Sequence, residues 1–206
     1  KAVMKKLFLF IALLFAGTCF GQSFYQSIET AEADGITFTV KRTQYASLIY
    51  NTACNYIHTG NWRYKDGREL ETEGEYDSVS AQKNTAGELR ALREVLGDDF
   101  ITAMRAYKRS TMTILYVVGP DGKTMEIAFI VSAKPELQAL PLTTFAALER
   151  KLKQYVTWKP NDFAKQLEFF QSKSLVDFRN VPISSELKVI KNDFLLNQAW
   201  DGELHE

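Results

Sequence analysis

The stretch Thr111–Lys134 reads TMTILYVV, then GPDG, then KTMEIAFIVSAK. Two runs of strand-forming residues flank Gly119-Pro120-Asp121-Gly122. Pro120 presets φ for the second turn position, Asp121 suits the third, and Gly122 takes a left-handed fourth. The set predicts a type I turn with a Gly bulge, in which Gly119 pairs with Lys123. Counting back from that pair places Thr113, Leu115, Val117, Met125, Ile127 and Phe129 on one face. Ile114, Tyr116, Val118, Thr124, Glu126 and Ala128 fall on the other, more mixed face. The first face is dry and is expected to lie under another element.

Downstream, Pro135 and Pro141 bracket a loop, and Thr143 opens a helix to about Val156. Phe145, Leu148, Leu152 and Val156 share one side of it, and Glu149, Arg150, Lys151 and Lys153 the other, so it is the expected cover for the dry face. Trp158-Lys159-Pro160 ends that helix. Phe163–Phe170 reads as a short helix or turn, and Leu175–Ile183 as a strand with Pro182 near an edge or bulge. Ser184 or Ser185 is placed to cap a last helix through Phe194.

Upstream, Leu89, Leu92 and Leu96 mark a helix over Ala86–Leu96 that Gly97 stops. Asp98 or Asp99 then caps a second, Phe100–Tyr107. Asp66-Gly67 predicts a second hairpin over Asn61–Glu73, with Arg63 opposite Leu70 and Tyr64 opposite Glu69. In that pairing Glu69, Glu71, Glu73, Glu75 and Asp77 line a solvated strand face. Ile36–Arg42 alternates as a half-buried strand, and Tyr45–Ile57 reads as one or two more. Ser23–Gly35 is polar and reads as a lead-in or short helix.

Met4 is the expected start, and Lys5-Lys6 before the apolar run Leu7–Phe20 reads as a secretory signal. The run is shorter than the roughly 20 residues a membrane-spanning helix needs. Cleavage is expected between Gly21 and Gln22; Thr18 and Ala16 make a poor lipid-attachment context for Cys19. The expected organisation is a signal over 1–21, a β-rich segment over 22–80, an α+β domain over 86–183 and an extension over 184–206. Cleavage removes three lysines and no acids, leaving 22 Lys+Arg against 25 Asp+Glu. That slightly acidic balance excludes nucleic acid as an expected partner, and a membrane is expected only if the leader stays or Cys19 is lipidated. Cys54 then stands alone, expected as a buried thiol.

Chemistry-bearing motifs are few. His58 and His205 are the two histidines, so Cys54-x₃-His58 is half a metal motif and no metal or cofactor is expected. There is no Gly-x-Ser-x-Gly, no His-Glu-x-x-His and no Gly-rich phosphate loop, and no residue is assigned a catalytic role. Trp62, Trp158 and Trp200 are the tryptophans available to line a ligand site.

The order from Ala86 to Ile183 resembles the C-terminal domain of TonB. The resemblance is carried by the helix before Thr111, Asp121-Gly122-Lys123, the helix from Thr143, Trp158-Lys159-Pro160 and Val181-Pro182-Ile183. Tyr64-Lys65-Asp66-Gly67 also resembles a segment preceding such domains in secreted Bacteroidota proteins. The resemblance implies an α+β fold, helix-strand-strand-helix-strand, with an antiparallel sheet and helices packed on one face. It implies a non-enzymatic periplasmic or secreted protein whose last strand offers an edge to an envelope protein or peptide. On this chain that edge falls on Leu175, Val176, Phe178 and Val181, with Val176 expected to carry an edge donor. The alternative is a small-ligand module with a pocket between sheet and helices, lined by aromatics such as Trp62 and Tyr116.

Overall fold

The computed structural model describes residues 26–108 and 110–187. The signal region, Cys19, the Gly21-Gln22 junction, Trp200, His205 and the end of the expected last helix lie outside the described residues. The chain is α+β. A six-stranded sheet runs in the order β1 (Ser27–Ala33), β2 (Ile36–Arg42), β3 (Ala46–Asn51), β6 (Thr124–Ser132), β5 (Thr111–Val118), β8 (Phe170–Asp177). Every neighbouring pair is antiparallel. Because β3 pairs with β6, the N-terminal meander and the central hairpin share one sheet. A small second sheet joins β4 (Ala81–Lys83) to β7 (Trp158–Pro160).

The turn forms as its residues require. Gly119 N–H donates to Lys123 O at 2.9 Å, and Gly122 adopts φ 79°. A Cβ on Gly122 would also sit 2.2 Å from the Trp158 carbonyl oxygen, so glycine is needed there twice over. The register beyond the turn differs from the expected one. Val118 pairs with Thr124 but Val117 pairs with Glu126, so a bulge leaves Met125 unpaired. One extra residue moves every later β6 side chain to the opposite face. Met112, Ile114, Tyr116 and Val118 therefore share a face with Ile127, Phe129 and Val131, all fully buried. Leu115 and Val117, expected beside Ile127 and Phe129, project from the other face.

Helix α1 spans Glu73–Ser78, α2 Thr85–Arg105, the single turn α3 Pro135–Gln138, and α4 Leu142–Tyr155. Asn84 caps α2 by accepting from Gly87 N–H, and Gly97 breaks it at φ 77°, as the sequence suggests. Phe145 of α4 packs against Phe129 with tilted rings whose centroids are 5.3 Å apart, and Glu88 of α2 meets Tyr116. Phe129 and Tyr116 point the same way, so both long helices cover one face. Glu149, expected on the wet side of α4, is buried and ion-paired to Lys153 at 2.7 Å.

Five further expectations shift. Ser27–Ala33 is an exposed edge strand rather than a lead-in, and β3 stops at Asn51, leaving Cys54 and His58 in a loop. The Asp66-Gly67 turn forms, but Arg63 pairs with Glu69, one residue from the expected register. The alternating acids run into α1, where Thr72 and Glu75 form a capping box and turn the backbone helical. The last strand ends at Asp177, and Phe178–Asn180 is a 3₁₀ turn.

Candidate functional site: the edge of β8 and its cleft

β8 is the last strand of the sheet and pairs only with β5. Phe178 N–H donates to Ser110 O, which fixes the alternation: backbone groups of even-numbered β8 residues point at β5. Those of Gln171, Lys173, Leu175 and Asp177 point outward, and they have no backbone partner among the described residues. Such a row is a template for another strand. The donor expected at Val176 is therefore spent on β5, opposite Met112, and the free donors flank it.

Of the four residues expected at this edge, Leu175 is exposed, at 68%, while Val176, Phe178 and Val181 sit in the core. Phe178 packs edge-on to Phe100 of α2, and Val181 O accepts from Arg105, so both fasten the strand's end to α2. On the face away from the helices, Leu175 lies opposite Thr113 and Lys173 opposite Leu115. Lys173 makes no hydrogen bond or ion pair among the described residues.

Beside this edge lies an open cleft of about 290 Å³. Ile57, Trp62, Leu115 and Tyr116 line it, with Gln171, Ser172 and Lys173 of β8. Trp62 and Tyr116 thus border the same space, but that space lies at the β8 end of the sheet rather than between sheet and helices. Tyr116 contributes little ring surface, since its side chain is fully buried on the helix side.

One wall of the cleft is the loop after β3. Glu126 accepts the N–H groups of Asn55, Tyr56 and Ile57 at 2.6, 2.9 and 2.8 Å. Gln171 Nε2 donates to Tyr56 O and Thr59 O, and Tyr56 OH donates to Glu168. In sequence Glu126 reads as one residue of the more mixed strand face; its partners lie some seventy positions away, and no local signal announces them.

Behind the edge, on the helix side, a polar cluster holds β8 in place. Glu88 is 4% exposed and accepts from Tyr116 OH at 2.6 Å, Lys83 Nζ at 2.7 Å and Ser174 Oγ at 2.8 Å. Lys83 Nζ also donates to Ser174 Oγ at 2.6 Å. Burial first, and then the Glu88 charge, push the Tyr116 phenol well above its ordinary range, so it stays a donor. Ser174 stands far from Lys83 and Glu88 in the sequence, and no motif links them.

Cys54 and His58 both lie in the loop after β3. The Cys54 thiol is pushed up to about 11, by burial first and then by Glu126 and Glu149. The His58 ring packs edge-on to Tyr50, and burial lowers its pKa. Among the described residues no three His, Cys, Asp or Glu side chains are grouped to hold a metal, and no helix is long and apolar enough to cross a membrane.

No protein-family model matches the chain, and no curated protein matches it. Among solved structures, the chain is similar to a DUF5043 family protein from Bacteroides uniformis. The two are 19% identical over 79% of this chain and 93% of that one, with a TM-score of 0.59. At that identity the likeness is one of fold: this chain has the architecture of an uncharacterised Bacteroidota protein.

Proposed function

We propose that the chain is an exported, non-enzymatic binding protein of the cell envelope, periplasmic or secreted, that takes up an extended partner segment by strand addition at β8. The observation that carries this reading is the open outer edge at Gln171, Lys173, Leu175 and Asp177. Main-chain pairing at such an edge supplies affinity, and pockets for alternate side chains supply selectivity. The TonB-like reading is supported by the succession α2–β5–β6–α4–β8, which follows the helix-strand-strand-helix-strand order with the single turn α3 and the short strand β7 interposed. Partners of this kind are proteins or peptides rather than nucleic acids.

Panning a library of random extended peptides against the folded chain and against Leu175→Pro tests the reading. Proline removes one outward N–H and sits on an edge strand, where it is tolerated. Enriched peptides that lose binding to the variant, with its thermal melt unchanged, support strand addition; equal enrichment on both proteins overturns it. The second reading, a small-ligand module, is favoured by the cleft at Trp62. It predicts that small aromatic molecules quench Trp62 equally in both proteins.

A further inference from the structure

We propose that the β8 site selects a peptide with an acidic residue flanked two positions away on each side by apolar residues; this rests on the strand-addition reading above. A strand laid along β8 presents alternate side chains to the open face. There it meets Gln171, Lys173 and Leu175 in turn. Lys173 is exposed and makes no ion pair or hydrogen bond among the described residues. A carboxylate directly across from it makes the favourable cross-strand pair. Two positions toward Leu175, the incoming side chain lies beside a leucine exposed to 68% and wants to be apolar. Two positions the other way, it reaches the cleft between Trp62 and Ile57, whose volume of about 290 Å³ takes an aromatic ring. The intervening side chains face Ser172 and Ser174, where small polar residues fit. The apolar-acid-apolar spacing reads the same in both directions, and an antiparallel strand that runs from leucine to phenylalanine sets the phenylalanine beside Gln171 and the leucine beside Leu175.

The probe is the end-blocked peptide Ser-Leu-Ser-Glu-Ser-Phe-Ser and its counterpart with lysine replacing the glutamate, titrated against the full chain by calorimetry. The glutamate peptide is expected to bind about fivefold more tightly, and the order is expected to reverse on Lys173→Glu. Replacing phenylalanine by alanine in the peptide is expected to weaken binding by roughly tenfold without touching the protein. Lys173→Glu changes an exposed side chain, and an unchanged thermal melt certifies its fold. A preference that survives the charge reversal, or equal binding of both peptides, overturns this proposal. If library peptides still bind in a Leu175-dependent way, that result leaves strand addition standing; if no peptide binds, both readings fall.

Discussion

Glu88 and Glu126 are buried on opposite faces of the same sheet, and each accepts three hydrogen bonds. Glu88 lies under the helices and is satisfied by side chains: a phenol, an ammonium and a hydroxyl. Glu126 lies on the face without helices and is satisfied by three successive backbone N–H groups of a loop. The difference follows from what covers each face. Helices α2 and α4 satisfy their own backbone, so the polar anchor where β8 meets α2 is free to be built from side chains. A loop has no internal ladder, and its N–H groups cannot be buried unpaired. One carboxylate therefore fastens the loop over part of the open face, and the rest of that face and the β8 edge stay available.

If the closed face holds the fold and the open face serves binding, mutations should separate accordingly. The largest effect is expected at Phe129, fully buried against Phe145. Phe129→Ala should cost about 3–5 kcal/mol in denaturant unfolding. A cost below about 1 kcal/mol would mean that the helices do not seal this face.

Next comes Glu88. Glu88→Ala leaves the Lys83 ammonium, 16% exposed, without its counter-charge, and the Tyr116 hydroxyl without its acceptor. Removing one partner of a buried pair costs about 3 kcal/mol or more. Tyr116→Phe removes only one donor to Glu88 and should cost about 1 kcal/mol. Similar losses in both variants would show that Lys83 is solvated in place and that the cluster is not the anchor described.

The same contrast explains what could be read without coordinates. The closed face was legible where the signal is local: Pro120-Asp121-Gly122 fixes the turn, Gly97 breaks α2, and Phe145, Leu148 and Leu152 mark the buried side of α4. It was misread where one residue decides, because the bulge at Met125 reverses the faces of β6 and nothing in TMEIAF reports it. The acids from Glu69 to Asp77 alternate like a strand, yet Thr72-x-x-Glu75 is a capping box and wins locally. β1 was missed because an exposed edge strand need not alternate. The site was legible only in part. Leu175 and Trp62 are visible as an edge residue and a large aromatic, but which N–H groups face outward depends on the pairing of β8 with β5.

On the open face, Glu126→Gln should act on one segment. An amide presents an acceptor on only one of its two arms, so the loop loses part of its fastening, at roughly 1–3 kcal/mol. The expected signature is faster amide exchange at Asn55–Ile57, with β6 and α4 unchanged. Cys54 reports the same event. Its thiol, pushed up to about 11, should alkylate at pH 8 roughly tenfold or more slowly than an exposed cysteine. Glu126→Gln removes a nearby negative charge and opens the loop, both of which lower that pKa, so alkylation should quicken. Global unfolding, with exchange rising equally in α4, would show that the loop is part of the core.

The smallest effect is expected at Leu115, the open-face counterpart of Phe129. It is half-buried, lines the cleft and lies opposite Lys173. Leu115→Ala removes apolar surface that water already reaches in part, so its unfolding cost should stay near 1 kcal/mol or below, against several for Phe129. Peptide binding should respond in the opposite sense. Widening the cleft floor should weaken a peptide bearing phenylalanine beside Gln171, while Phe129→Ala, where still folded, should leave that affinity unchanged. A Leu115→Ala protein that loses stability like Phe129→Ala but binds peptide normally would place Leu115 in the core and dissolve the division between the two faces.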